Sequence, residues 1–121
     1  MNKFENNYNL ENRTLIFSKN LIAFLKKCPK NTLTISLIDQ VLRAGTSIGA
    51  NYREANGASS KKDFQNKIYI CKKEAKETLY WLELLGNSLD EEKLKEECRV
   101  LWQETKEFVL IFGKIAASSK N

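Results

Sequence analysis

Apolar side chains recur along this chain at steps of three and four, and they do so in four separate blocks. Leu10, Phe17, Leu21, Phe24, Leu25 and Cys28 make the first, and Pro29, which has no amide hydrogen to donate, stops it. The second block, Ile38, Val41, Gly45, Ile48 and Tyr52, follows Asn31 or Thr32 as its cap and runs to a turn at Asn56-Gly57. Ser60 with Asp63 forms a cap-like start for the third: Phe64, Ile68, Cys71, Ala75, Leu79 and Leu82, ending near Gly86. Ser88 with Glu91 makes a capping-box pattern, Asp90 being a rival cap, ahead of Leu94, Cys98, Leu101, Thr105, Phe108, Phe112 and Ile115. The pattern predicts helices over about 10–28, 33–56, 60–86 and 89–117, with a frayed tail from Ser118 to Asn121. No block alternates as a strand would, and short connections make successive helices antiparallel neighbours. The expected fold is all-α: a single domain over residues 1–121, an antiparallel up-down-up-down four-helix bundle.

The second helix carries two glycines, each of which costs a helix interior about 1 kcal/mol relative to alanine. Gly45 and Gly49 lie one turn apart, and with Ala44, Ser47, Ala50 and Ala55 they make this helix thin enough for another backbone to approach closely. In an apolar segment the Gly-x-x-x-Gly spacing would suggest membrane dimerisation, but Arg43, Asn51, Arg53 and Glu54 rule out that setting. Gln40, Arg43, Ser47, Asn51 and Glu54 form a polar series beside the apolar stripe. It is either a buried network, with Arg43 donating to a carboxylate and Asn51 bridging backbone groups, or a wet edge. In both cases these residues are structural rather than catalytic.

Composition narrows the chemistry. The chain has 121 residues, 42% apolar and 29% charged, with one proline, and is long enough to bury a core without disulfides or a structural metal. No apolar run approaches a membrane span and no charged-then-apolar leader opens the chain, so a cytoplasmic location without membrane contact is expected. Cys28, Cys71 and Cys98 are far apart and fall on apolar helical positions, where they read as small buried hydrophobes; with no histidine, no metal site is expected. Lack of histidine also removes the usual general base and the Ser-His and Cys-His nucleophile arrangements. The expectation is a protein that is not an enzyme, with no catalytic residue and no cofactor.

At this point the residues carry a resemblance. Gln40-Val-Leu-Arg-Ala-Gly-Thr-Ser-Ile-Gly-Ala-Asn-Tyr-Arg-Glu-Ala55, Ser59-Ser-Lys-Lys-Asp-Phe64 and Glu74-Ala-Lys-Glu-Thr-Leu-Tyr-Trp-Leu-Glu-Leu-Leu85, in this order, resemble the signature segments of a family. It is the family of small four-helix-bundle proteins encoded by intervening sequences in bacterial large-subunit (23S) ribosomal RNA genes. The match extends from the first helix to about residue 116. The resemblance implies a left-handed up-and-down bundle that assembles as a homopentamer, and a relationship to accessory proteins of diversity-generating retroelements, which bind a reverse transcriptase and RNA. It supplies no catalytic residues. Glycines at 45 and 49, where alanine or serine is common in the pattern, depart from it.

The formal charge of +5 is uneven: +4 over residues 1–32, zero over 33–57, +2 over 58–87 and −1 over 88–121. Such a balance favours an anionic partner, RNA or DNA before others. Lys62, Asn66, Tyr69, Lys73, Lys76 and Tyr80 share one face of the third helix, with Lys61 and Lys72 beside it. Cations there can neutralise phosphates while tyrosines stack on unpaired bases; the alternative is a solvated face with tyrosines at a subunit seam. Lys26, Lys27 and Lys30, with Lys19 and Arg13 further up, make a second basic region at the end of the first helix. The fourth helix is acidic through Glu91, Glu92, Glu96, Glu97, Glu104 and Glu107, and in a ring it could face a neighbour's basic helix. Trp81, Trp102, Phe108 and Phe112 either serve such a contact or fill the core. The function expected is an oligomeric binding module that contacts RNA or a ribonucleoprotein partner through a basic surface. The alternative is a structural or protein-interaction oligomer, such as a reverse-transcriptase accessory protein.

Overall fold

A computed structural model describes the backbone of residues 3–118 and the side chains of residues 9–118; the tail from residue 119 onward lies outside the described residues. Four α-helices follow one another: α1 (Lys3–Lys27), α2 (Thr32–Asn56), α3 (Lys61–Asn87) and α4 (Glu92–Ser118). Among the described residues there is no strand. Neighbouring pairs are α1/α2, α2/α3, α3/α4 and α1/α4; the packing is most extensive along α3 and slightest between α1 and α4.

Local chemistry explains most of the boundaries. Asn31 caps α2: its side-chain oxygen accepts from the amides of Leu33 and Thr34, and the Thr34 hydroxyl accepts from the Asn31 amide at 2.9 Å. Ser60 caps α3 by accepting from the Asp63 amide at 3.0 Å. Two boundaries differ from the sequence pattern. α1 starts at Lys3 rather than near residue 10, because a nucleated helix extends by further residues at little cost even where no apolar stripe marks them. α4 starts at Glu92 rather than 89, since Ser88 ends α3 instead of opening α4. The Ser88 amide donates to Leu84 and Leu85, and its hydroxyl donates to the Leu85 carbonyl at 2.8 Å. Leu89 then turns into the core, and α4 begins beyond it.

The four apolar stripes meet in one core. Tyr52, Phe108, Phe112, Leu21, Ile48, Ile68, Leu82 and Leu85 are fully enclosed, while the stripe members Ile38, Phe64, Leu79 and Ile115 are only half-buried at its margins. Phe17 meets Phe108 edge-on at 5.3 Å between ring centroids, and Tyr52 lies 5.6 Å from Phe112. Phe108 and Phe112 therefore fill the core rather than offering surface; Trp81 and Trp102 are half-buried against it.

The glycines of α2 sit at the close approach to α1. A Cβ at Gly45 would lie 2.2 Å from a Leu21 methyl, and one at Gly49 would lie 3.1 Å from Thr14 Cβ. Further along, Asn56 donates to Glu11 at 2.8 Å, so rising numbers on α2 meet falling numbers on α1. The three cysteine thiols are free and buried. Burial pushes the Cys71 thiol up to about 12 and the Cys98 thiol to about 11, and it raises Cys28 as well.

Candidate nucleic-acid interface

α3 turns two faces away from the core, and its sequence equips them differently. Toward α2 it presents Glu74 and Glu77. Arg43 reaches across to Glu77 Oε1 at 2.5 Å and also donates to Gln40 at 2.9 Å. Its Nη1 is 3.9 Å from Glu74 Oε1, a buried oxygen with no hydrogen bond among the described groups. Lys67 pairs with Glu54 at 2.8 Å. The rest of the α2 series is turned onto its own helix: Ser47 donates to the Arg43 carbonyl at 2.6 Å, and Asn51 to the Ser47 carbonyl at 2.8 Å.

The Arg43 side chain is 54% exposed and that of Glu74 only 12%. The series is thus a seam, wet on the α2 side and, on the α3 side, closed over Glu74 but part-open at Glu77 and Lys67. It joins α2 to α3 rather than forming a sealed network. The Arg43 guanidinium holds the Glu77 carboxyl below its usual range, opposed by partial desolvation and reinforced by the Trp81 indole N–H, which donates to it at 3.3 Å.

The outer face carries Lys62, Asn66, Tyr69, Lys73, Lys76 and Tyr80, all of them exposed. At 100° per residue these positions fall within a narrow sector, and the structure keeps them together as the spacing predicted. Tyr69 is 43% exposed and Tyr80 60%. Ion pairs among the described residues engage Arg13, Lys27, Arg43, Arg53, Lys67 and Arg99, and none engages Lys62, Lys73 or Lys76. Lys72 does not widen this face: its side chain lies over Gly113 of α4, with Nζ 3.6 Å from where a Cβ would be.

The basic end of α1 is largely committed to the fold. Lys27 is hydrogen-bonded to Glu97 of α4, and Lys30 donates to the carbonyls of Leu25, Lys26 and Cys28, capping the helix end. Only Lys26 of this trio is exposed without a partner among the described groups. The acidic side chains of α4 are partly satisfied in the same way. Arg13 grips Glu104 through two hydrogen bonds of 2.7 Å, and Glu96 pairs with Arg99. These cross-helix pairs were not visible in the sequence, because the partners are 70 and 91 residues apart. Beside the Arg13–Glu104 pair an open groove of about 620 Å³ runs between α1 and α4, with Ile16 and Val100 on its walls; none of its lining residues belongs to α3.

Among the described residues no three His, Cys, Asp or Glu side chains converge as a metal site would require. No helix of the described residues is long and apolar enough to cross a membrane.

Comparison with known proteins matches residues 7–108 to the model of a family described as 23S rRNA-intervening sequence protein. The chain is also similar to a crystal structure, at 1.70 Å resolution, of a protein of unknown function from the S23 ribosomal protein family of Bacteroides thetaiotaomicron VPI-5482. The two are 35% identical, the match covers 88% of this chain and 96% of that one, and the TM-score is 0.73. No curated protein matches the chain.

Proposed function

This chain belongs to the family of 23S rRNA-intervening sequence proteins, and from that premise we propose that it is a non-enzymatic cytoplasmic protein that binds RNA on the outer face of α3. The observation that carries the reading is the α3 face itself, where no ion pair among the described residues engages Lys62, Lys73 or Lys76, and these lysines share the face with the exposed rings of Tyr69 and Tyr80. Cations outside intrachain ion pairs can neutralise phosphates and release the counterions condensed on the RNA, whereas Arg13, Lys27 and Lys30 are held by Glu104, Glu97 and backbone carbonyls.

The bundle is read as up-down-up-down, supported by the opposed numbering of the α1/α2 contacts and the short connections. Self-assembly, as the homopentamer that the family resemblance implies, would repeat the α3 face around a ring and multiply a weak contact. A second reading rests on the exposed apolar side chains Val100 and Leu110 of α4: they favour a protein-interaction oligomer whose partner is another protein, a reverse transcriptase being the one the resemblance suggests.

The test is RNA affinity of the full chain across a salt series. The double variant Lys73→Glu/Lys76→Glu is expected to bind structured RNA more weakly and to reduce the slope of log K against log salt by about 1 to 2, while the oligomer seen by light scattering is unchanged. Lys114→Glu on α4 is the control and should do little. RNA binding that is absent in the parent protein would overturn the reading in favour of the interaction-only alternative, and RNA binding unaffected by the α3 reversal would overturn α3 as the binding face and move it to another basic surface, such as the end of α1 at Lys26.

A further inference from the structure

Tyr69 and Tyr80 stand on one face of α3, eleven residues apart, which at 1.5 Å per residue is about 16 Å along the axis. Lys73 and Lys76 lie between them, and Lys62 lies about 10 Å before Tyr69. The Tyr80 ring is also held in place. It leans edge-on against Trp81, with centroids 5.0 Å apart and planes at 75°. Trp81 in turn donates its indole N–H to Glu77 Oε1, the oxygen that accepts from Arg43. A chain of contacts therefore runs from α2 through Glu77 and Trp81 to an aromatic ring that projects into solvent.

We infer that this face binds an unpaired RNA strand, with bases stacked on Tyr69 and Tyr80 and the intervening phosphates met by Lys73 and Lys76; the inference rests on reading α3 as the RNA-binding face. A duplex keeps its base faces inside its own stack. It is recognised through its phosphates, its 2′-hydroxyls and the shape of its minor groove, none of which calls for an exposed aromatic face. Lysines alone would serve it. An unpaired strand offers a π-face at every nucleotide, and a ring already oriented by its neighbour loses less freedom when a base settles on it. The dimensions agree: a stacked strand advances about 3.4 Å per phosphate, so the two rings are separated by about five nucleotides, or by fewer if the strand is splayed. Stacking of this kind tolerates any base, so the face selects for the absence of pairing rather than for a sequence.

Fluorescence anisotropy with the full chain tests this, using a 12-nucleotide oligouridine and a 12-base-pair RNA duplex as probes at one salt concentration and then across a salt series. The single strand is expected to bind more tightly than the duplex. Tyr69→Leu and Tyr80→Leu should each weaken strand binding about tenfold or more with an unchanged salt slope, because they remove a stacking surface and no charge. Tyr69→Phe and Tyr80→Phe, which keep the ring, should stay within about twofold of the parent, and circular dichroism checks that every variant is folded. Equal binding of strand and duplex, with the leucine variants harmless, overturns the inference while leaving RNA binding by α3 in place. Binding of neither probe overturns both.

Discussion

Gly45→Ala should destabilise the protein even though alanine is the better helix former. A Cβ at position 45 would lie 2.2 Å from Leu21 Cδ2, and 3.7 Å from both Leu21 Cγ and Phe17 Cε2. Carbon atoms rest at about 3.5–4.0 Å, so the Leu21 methyl would have to retreat by about 1.5 Å. The atom is the free end of a flexible side chain, but Leu21 is fully buried and Phe17 nearly so, so a change of the Leu21 rotamer presses on other core side chains. Overpacking of a filled core costs about 1–3 kcal/mol, and a displacement of this size belongs at the upper end. Replacing glycine in a helix interior returns about 1 kcal/mol, which leaves a net loss of about 2 kcal/mol.

Urea denaturation followed by circular dichroism at fixed protein concentration is the assay, since self-association would make stability depend on concentration. With a slope of about 1–3 kcal/mol per molar, the midpoint should fall by about 1 M. Gly49→Ala is the internal control: its Cβ would meet Thr14 at 3.1 Å, a few tenths of an ångström too close, so crowding and helix propensity nearly cancel. Leu21→Ala should also cost less in the Gly45→Ala background than in the parent, because the new methyl occupies part of the space vacated. A Gly45→Ala midpoint at or above that of the parent would refute the claim that α1 and α2 are held this close.

The remaining predictions concern titratable groups. Arg43→Ala should cost about 1 kcal/mol, because its pairs are half exposed and screened, and should let the Glu77 carboxyl titrate at higher pH. Since the folded-state pKa of Glu77 is depressed, its contribution is present above the ordinary value of 4.5 and is lost as pH falls through the lower folded value. Carboxyl NMR titration of the variant shows this, and an unmoved Glu77 resonance would contradict the Arg43 contact. The three thiols should resist a disulfide reagent at pH 8 in the folded protein and react together once urea is added; fast native labelling would show that they are accessible. Because Cys71 and Cys98 are raised in the folded state, the stability they contribute is complete below about 9 and is lost as pH rises through about 11 to 12, a loss visible in alkaline denaturation.

By itself the sequence determined what depends on near neighbours along the chain. The four apolar stripes, the burial of three cysteines and the shared face of Lys62, Tyr69, Lys73, Lys76 and Tyr80 all follow from helical spacing, and the Ser60 cap from residue type, both local properties, while the choice of Asn31 over Thr32 as the cap of α2 fell to the structure. Gly45 and Gly49 also announced a close crossing, though not that Leu21 and Thr14 of α1 make it. Ser88 was misread for a local reason: serine caps either end of a helix, and only the descent of Leu89 into the core decides which.

Tertiary structure alone decided the pairings. Arg13 with Glu104, Lys27 with Glu97, and Arg43 with Glu77 join residues 34 to 91 positions apart, and their meeting depends on the register at which one helix slides along another. That register is set by the summed packing of the core, in which Phe108 and Phe112 proved to be interior, and no short stretch of sequence contains it. The same long-range packing separates cations held within the fold, such as Lys27 and Lys30, from the lysines of α3 that lie open to solvent, a difference of partners that side-chain type and spacing do not encode.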